Sequence, residues 1–580
     1  MSDDAAPRAG GPGVPAAEAA GPLGPPADQA IPAGDGTGRS GLLSASASMA
    51  AGTVVSRLTG FIRSGLILAA IGKSLDADVF TQANTVPNSL YILVAGGVFN
   101  VVLVPQLVRA MRNDADGGEA YASRVLSLGV LVLAGATAVL VVAVPLVARV
   151  AFPGDLFEPD LAPQLQSAHH LMRYCMPQVF FYGVFVLVGQ LLNSRQRFGP
   201  MMWAPIVNNV IACAVLVTYL ATYGSSDSAD GFTGNQELLL GLGSTLGVAA
   251  QAAVLVPYLR AAGVRLRPRF DFRGVGLGHT LRLGLWTLLF VITNQIAYFV
   301  VTRIAVGSSA EAAQGSGESA GATVYQNAFL ITQVPHAIIT VSLVTATMPL
   351  LSRLAAEEDT AAVRGEVRST LRLVLTAVVP VAAVLACLGQ LVASMLFGYG
   401  AVTGDTQVIG DTIAAFAPGL VFFTVHYLLL RGFYAGEDTR TPFFVQLGLS
   451  LTNIAAAILF TVGAPPGRIA MLLALAYGTS YLVGMLASGH MLSRRLGGLV
   501  DADLVRFGTR LVASAAVSAV VMLTVSRLLP VLGLSGDRPL SAAASFALAG
   551  GAGALGYLLA ARVTGLREVA MLGAAVRRRA

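Results

Sequence analysis

SASASMAAGTVVSRLTGFIRSGLILAAIG, Ser44–Gly72, has the length and apolar content of a membrane-crossing helix. It also carries Arg57 and Arg63 near its middle. On insertion scales each guanidinium at that depth costs about 2.5–3.5 kcal/mol. A helix bearing two of them does not turn that face to acyl chains. The stretch therefore reads as the wall of a wet cavity holding positive charge for something negative.

The rest of the chain has the same character. Its 580 residues have a mean hydropathy of +0.71, and only 12% of them are charged. Many windows of roughly 18 or more apolar residues are each long enough to cross a hydrocarbon core of about 30 Å. We read an all-α polytopic membrane protein with about 14 spans, near 44–70, 79–108, 125–148, 169–192, 200–222, 238–259, 281–306, 322–351, 370–396, 411–433, 442–462, 469–492, 507–529 and 541–562. Of the 37 basic residues all but Lys73 are arginine, which with the Ala and Gly richness reads as genome composition. The pI of 9.3 does not point to nucleic acid, because the basic residues gather in loops at one membrane face. Cys175, Cys213 and Cys387 fall in apolar spans, and there is no CxxC or His/Cys cluster. Neither disulfides, a metal site nor a cofactor is expected. Residues 1–40, rich in Pro, Gly and Ala and lacking a basic region followed by an apolar core, read as a disordered cytoplasmic tail without a cleavable signal.

Loop charge gives orientation. Alternate loops are arginine-rich: Arg109, Arg112 and Arg124; Arg195 and Arg197; Arg260 to Arg273; Arg353 to Arg372; Arg494, Arg495 and Arg506. Intervening loops such as Gly224–Glu237 and Gly307–Gly321 carry acids and no Arg or Lys, and the few basic residues on that side are Lys73, Arg149, Arg468, Arg527 and Arg538. The alternation stays in phase, so both termini are expected in the cytoplasm. The prolines carry a weak repeat: Pro87 with Pro335, Pro105 with Pro349, Pro177 with Pro418 and Pro200 with Pro442, at offsets of 248, 244, 241 and 242. That shift spans six helices, so both halves would share one orientation. We expect an N-terminal six-helix lobe at 41–262, a second at 274–496, two further helices at 503–566 and a basic cytoplasmic tail at 567–580.

Arg57 and Arg63 are six residues apart, about 9 Å along a helix and about 120° around it. A broad cavity wall can hold both. Asp78 opens the second span; Asn84, Asn88 and Tyr91 follow at spacings that share a face. Arg303 lies near the end of the seventh span and Arg431 late in the tenth. For Asn and Gln the alternative is an interhelical hydrogen bond. For Arg57 and Arg63 it is a structural ion pair with Asp78, although two cations against one acid leave charge over. Arg431 reads as snorkelling to the interface; Arg303 reads equally as snorkelling or lining the cavity. Surplus guanidinium charge between two lobes fits phosphate oxygens. No P-loop is present and no enzyme is indicated.

SRLTGFIR (Ser56–Arg63), DADVF (Asp76–Phe80), VPNSLY (Val86–Tyr91), GQLLNSRQRFGPMMWAPIVNN (Gly189–Asn209) and RGFYAGEDTRTP (Arg431–Pro442) resemble the MurJ/MviN family, the lipid II flippases of the multidrug/oligosaccharidyl-lipid/polysaccharide exporter superfamily. The resemblance implies two six-helix lobes around a cationic cavity, with two extra helices forming a groove for a polyprenyl tail. It implies movement of lipid II, the undecaprenyl-diphosphate-linked peptidoglycan precursor, from the inner to the outer leaflet of a bacterial plasma membrane. The membrane potential or an ion gradient would drive it. Arg57, Arg63 and Asp78 match the family's cavity charges by position. Other family charges fall here at about Tyr91, Gly96 and Leu330, and Arg303 is a candidate substitute. No acid lies inside the eleventh or twelfth spans, so a carboxylate-based sodium site there lacks support. Those departures leave open a flippase for another polyprenyl-linked glycan, or a non-transporting scaffold for cell-wall synthesis proteins.

Overall fold

The computed structural model describes residues 39–93, 119–195, 197, 199–263, 269, 271, 277–315, 318–534, 536 and 538–570. The expected tail up to residue 38, the second span beyond residue 93 with Asn100 and Pro105, and residues 571–580 lie outside them. Among the described residues there are helices and no strand. Thirteen helical stretches there are long and apolar enough to cross a membrane. The remaining expected span begins as a helix at Leu75–Tyr91. A chain in lipid has no water to satisfy its peptide groups, so each crossing segment bonds within itself.

In chain order the spans are α1 (Arg39–Ile71), α2 (Leu75–Tyr91), α3 (Glu119–Val142), α4 (Pro159–Ser194), α5 (Gly199–Tyr223), α6 (Gly234–Ala261) and α7 (Leu277–Gln314). They continue as α8 (Ala322–Ala356), α9 (Thr360–Phe397), α10 (Gln407–Ala435), α11 (Arg440–Thr461), α12 (Pro466–Arg495), α13 (Ala502–Leu532) and α14 (Pro539–Thr564). Starts are marked chemically. The Asp359 carboxylate accepts from Ala362 N at 2.8 Å to begin α9, and Asp501 accepts from Leu504 N at 2.8 Å to begin α13. The paired prolines recur at like places. Pro87 and Pro335 lie inside α2 and α8; Pro200 and Pro442 lie in the first turns of α5 and α11. After Pro335, α8 widens into a π turn at His336–Val341.

α1 lies along α5, α5 along α6, α2 and α3 along α4, and α4 along α6. In the second half α7 packs on α11, α11 on α12, α12 on α10, and α10 on α8 and α9. The halves meet where α2 lies against α7 and α8, and α1 against α8 and α9. Small residues allow these approaches: a Cβ on Gly419 of α10 would come within 3.1 Å of Gly478 Cα on α12. α13 and α14 pack on each other and on α9. There the Tyr557 hydroxyl donates to Thr376 O at 3.0 Å, and Ser518 Oγ donates to Gly553 O at 2.8 Å.

A Cβ at Gly553 would strike the Met522 side chain. Gly553→Val is therefore expected to lower stability by about 1–3 kcal/mol. Thermal unfolding of the purified protein measures it, and an unchanged melting curve would contradict the packing described.

Candidate functional site

Arg57 and Arg63 are both half-buried on α1. Among the described residues neither has an ion-pair or hydrogen-bond partner. The turn between them sends them to different walls. Arg63 faces the first half, where its charge reaches Cys175 and Tyr182 of α4 and Cys213 of α5. Arg57 faces the second half, where its charge and that of Arg431 reach His336. Asn209 of α5 braces the rod behind them, donating to Ser56 O at 3.1 Å and to Thr59 Oγ1 at 3.0 Å.

Two of the expected residues, Asn84 and Tyr91, meet α4 on the Arg63 side. Asn84 and Asn88 are half-buried on α2, and Tyr91 is buried. Gln178 Nε2 donates to Asn84 Oδ1 at 2.9 Å, fixing the amide. Tyr91 stacks on Tyr182, ring centroids 5.5 Å apart. Tyr182 thus links the α2 face to Arg63. Sequence reading missed Tyr182 and Gln178, because nothing in one chain pairs α2 with α4.

The Arg57 wall is aromatic. His336 lies in the π turn, its Nδ1 3.1 Å from Thr424 Oγ1. Its ring sits 4.2 Å from Phe423 and 4.9 Å from Tyr427 between centroids. Arg431, expected to snorkel, is instead buried: its guanidinium lies over Tyr427 at 4.4 Å and donates to the Tyr427 hydroxyl. The aromatic face and the phenol oxygen offset the desolvation that would otherwise drive it outward.

Two expected site residues lie elsewhere. Asp78 meets neither arginine. Fully buried, it accepts from Ser309 Oγ at 2.7 Å, Ala322 N at 2.8 Å and Thr323 N at 2.7 Å. The open N–H groups in the first turn of α8, with the positive helix end behind them, hold a carboxylate better than a distant guanidinium does. Arg303 is exposed at the arginine-poor end, donating to the Arg149 and Val150 carbonyls at 3.3 Å each. Those carbonyls close the short helix Val144–Ala151 after α3, so Arg303 acts as its C-terminal cap.

Asp78 and Arg303 belong to a set of bonds that fastens the halves at the arginine-poor end. Gln82 donates to Thr302 Oγ1 at 3.3 Å, Thr323 Oγ1 to Thr81 Oγ1 at 3.0 Å, and Gln314 to Glu158 at 2.9 Å. Lys73, just past α1, bonds Glu318 and Asp405 at 2.8 Å each. Burial pulls its ammonium toward neutrality, but the bonds to Asp405 and Glu318 outweigh that and hold its pKa above the ordinary lysine value. Lys73 is therefore charged at any pH below that range. Among the described residues no group of His, Cys, Asp and Glu could hold a metal ion.

A bundle of membrane-spanning helices in two halves, fastened at one end and carrying unneutralised arginines inside, is a multi-pass transporter. The chain is similar in fold to the solved structure "Lipid II flippase MurJ, inward closed conformation", with TM-score 0.67 and 18% identity over 89% of this chain and 98% of that one. A multidrug resistance MATE family transporter of the MOP superfamily, inward-facing, shares the fold at TM-score 0.60 and 15% identity over 76% of this chain and 95% of that one. The family description "Lipid II flippase MurJ" matches residues 67–539, and the chain belongs to that family. Relatives described as "Probable lipid II flippase MurJ" include one from Rhizobium tropici, 27% identical over 83% of this chain and 86% of the relative. Another, from Haemophilus influenzae, is 27% identical over 70% of this chain and 78% of the relative.

Asp78→Ala removes the acceptor of three buried donors. We expect a loss of about 2–4 kcal/mol in thermal or denaturant unfolding. Asp78→Asn should recover only part of it, since an amide offers one oxygen. Melting equal to the native protein in both variants would contradict the role given to Asp78.

Proposed function

We propose that this chain moves lipid II, an undecaprenyl-diphosphate-linked precursor, from the cytoplasmic to the outer leaflet of a bacterial plasma membrane by alternating access. The arginine-rich end faces the cytoplasm, in keeping with the charge bias of the loops. The halves at 41–262 and 274–496 rock against each other while the diphosphate crosses between them. The protein binds and moves its ligand and does no covalent chemistry.

One observation carries this reading: two half-buried guanidiniums on a membrane-spanning helix, without a protein counter-charge among the described residues. A diphosphate supplies that counter-charge, and a guanidinium fork matches its oxygens. Arg63 grips it against the first half, with Asn84, Asn88 and the Tyr91–Tyr182 pair presenting amide and phenol groups. Arg57 meets it from the second-half side. Asp78 and Arg303 stay outside this grip and hold the halves together.

Arg57→Ala and Arg63→Ala are each expected to slow flipping by about ten- to a hundredfold, the worth of one charge-assisted bond. A leaflet-resolved lipid II assay in cells depleted of the native protein reads this, with membrane abundance of each variant as the control. Full complementation by both variants rejects the site. Inner-leaflet accumulation of a different polyprenyl glycan, and not of lipid II, moves the substrate to that glycan.

A further inference from the structure

We propose that Lys73 is an ionic bolt that shuts the arginine-poor end, and that its withdrawal from Glu318 and Asp405 is the step that opens the carrier to that side. This rests on the alternating-access part of the proposed function, and names the contact that must break.

Lys73 is the sole lysine of the chain, among 37 basic residues. Its side chain is 4% exposed, whereas those of Glu318 and Asp405 are 50% and 54% exposed. The three groups lie on three connections: α1–α2, α7–α8 and α9–α10. The Lys73 backbone is fixed separately. Its N–H and that of Ser74 both donate to Asp227 Oδ1 at 2.8 Å, in the α5–α6 connection. Lys73 therefore belongs to the first half by its backbone and to the second half by its ammonium. Parting the halves must draw Nζ from both carboxylates in one movement.

The backbone around the bolt leaves no room for anything looser. Gly72 has φ +82°, and a Cβ there would strike the Asp227 carboxylate. Gly400 has φ +59°, and a Cβ there would strike Ala69 O at the end of α1. A Cβ at Gly321 would collide with Asp78 Oδ2 and Ser309 Oγ. Three glycines on three connections thus let main chains approach until a compact ammonium fills the remaining gap. An ammonium offers three donors from a single point, and a planar guanidinium fork is bulkier in such a space. Once withdrawn, the two acids are already half in water and the ammonium gains hydration, so the bolt can slide without leaving a charge in lipid.

The sole lysine reports on itself. Protein in lipid nanodiscs, without lipid II, is treated with a membrane-impermeant amine-acylating ester, and peptide masses give the rate at Lys73. In native protein Lys73 should react far more slowly than in the same protein unfolded in denaturant. Glu318→Gln with Asp405→Asn should speed acylation at Lys73 by about tenfold or more. Spin labels on Tyr223→Cys and Tyr399→Cys, exposed residues of opposite halves at this end, read the opening in a background with Cys175, Cys213 and Cys387 changed to Ala. Lys73→Gln, and independently the charge-neutral Gly321→Ala, should shift that distance distribution to longer values. Native Lys73 reacting as fast as in the unfolded protein, or distances unchanged in both variants, overturns the proposal. Because no readout involves lipid II, a chain that opens as described yet flips nothing would fail the proposed function and keep the bolt.

Discussion

A carboxylate closes the start of a helix that belongs to the other half of the molecule. Asp78 sits at the beginning of α2, and its oxygens receive the first two N–H groups of α8 and the hydroxyl of Ser309. Open N–H groups in a dry interior are costly, and so is an ionised acid without donors. Each solves the problem of the other, and the solution requires α2, α7 and α8 to meet at one point. Further bonds between the halves, among them those of Lys73, Gln82, Thr81, Arg303 and Gln314, are made at the same end. With this end fixed, the depths of Arg57 and Arg63 below it follow from helix geometry: about 21 Å and about 12 Å from the end of α1.

Among the described arginines the surroundings differ. Some loop arginines at one end find acids or carbonyls: Arg368 bonds Asp501 at 2.7 Å and Leu499 O at 2.7 Å, and Arg495 bonds Asp438 at 2.9 Å. Arg303 and Arg431 find partners of other kinds, helix-end carbonyls and aromatic rings. Arg57 and Arg63 lie in the middle of a crossing helix, half-buried, and among the described residues they have no ion-pair partner.

Much of this was legible in the residues. The many crossing helices follow from apolar patterns along the chain, and Pro87 and Pro335 lie inside α2 and α8. The half-buried setting of Arg57 and Arg63 agrees with the cost of placing charge in hydrocarbon. The partners of Asp78 were not legible. A carboxylate beside two arginines invites an ion pair, whereas its donors are the Ser309 hydroxyl and two backbone groups 244 and 245 residues away, the latter invisible to any reading of side chains. Arg431 misled for a related reason: the ring beneath it, Tyr427, lies one turn back on the same helix, and a basic residue near a span's end has an easy route to water. Lys73 was passed over as the one exception to a compositional bias, because its carboxylates lie in connections far along the chain.

The C-terminal pair has a mechanical consequence. α13 and α14 lean on α9, tied by the Tyr557–Thr376 bond, and α9 is built into the second half beside α10. They are passengers of that half. Any movement of the second half relative to the first is transmitted through α9 to this pair, which gains no independent path of its own.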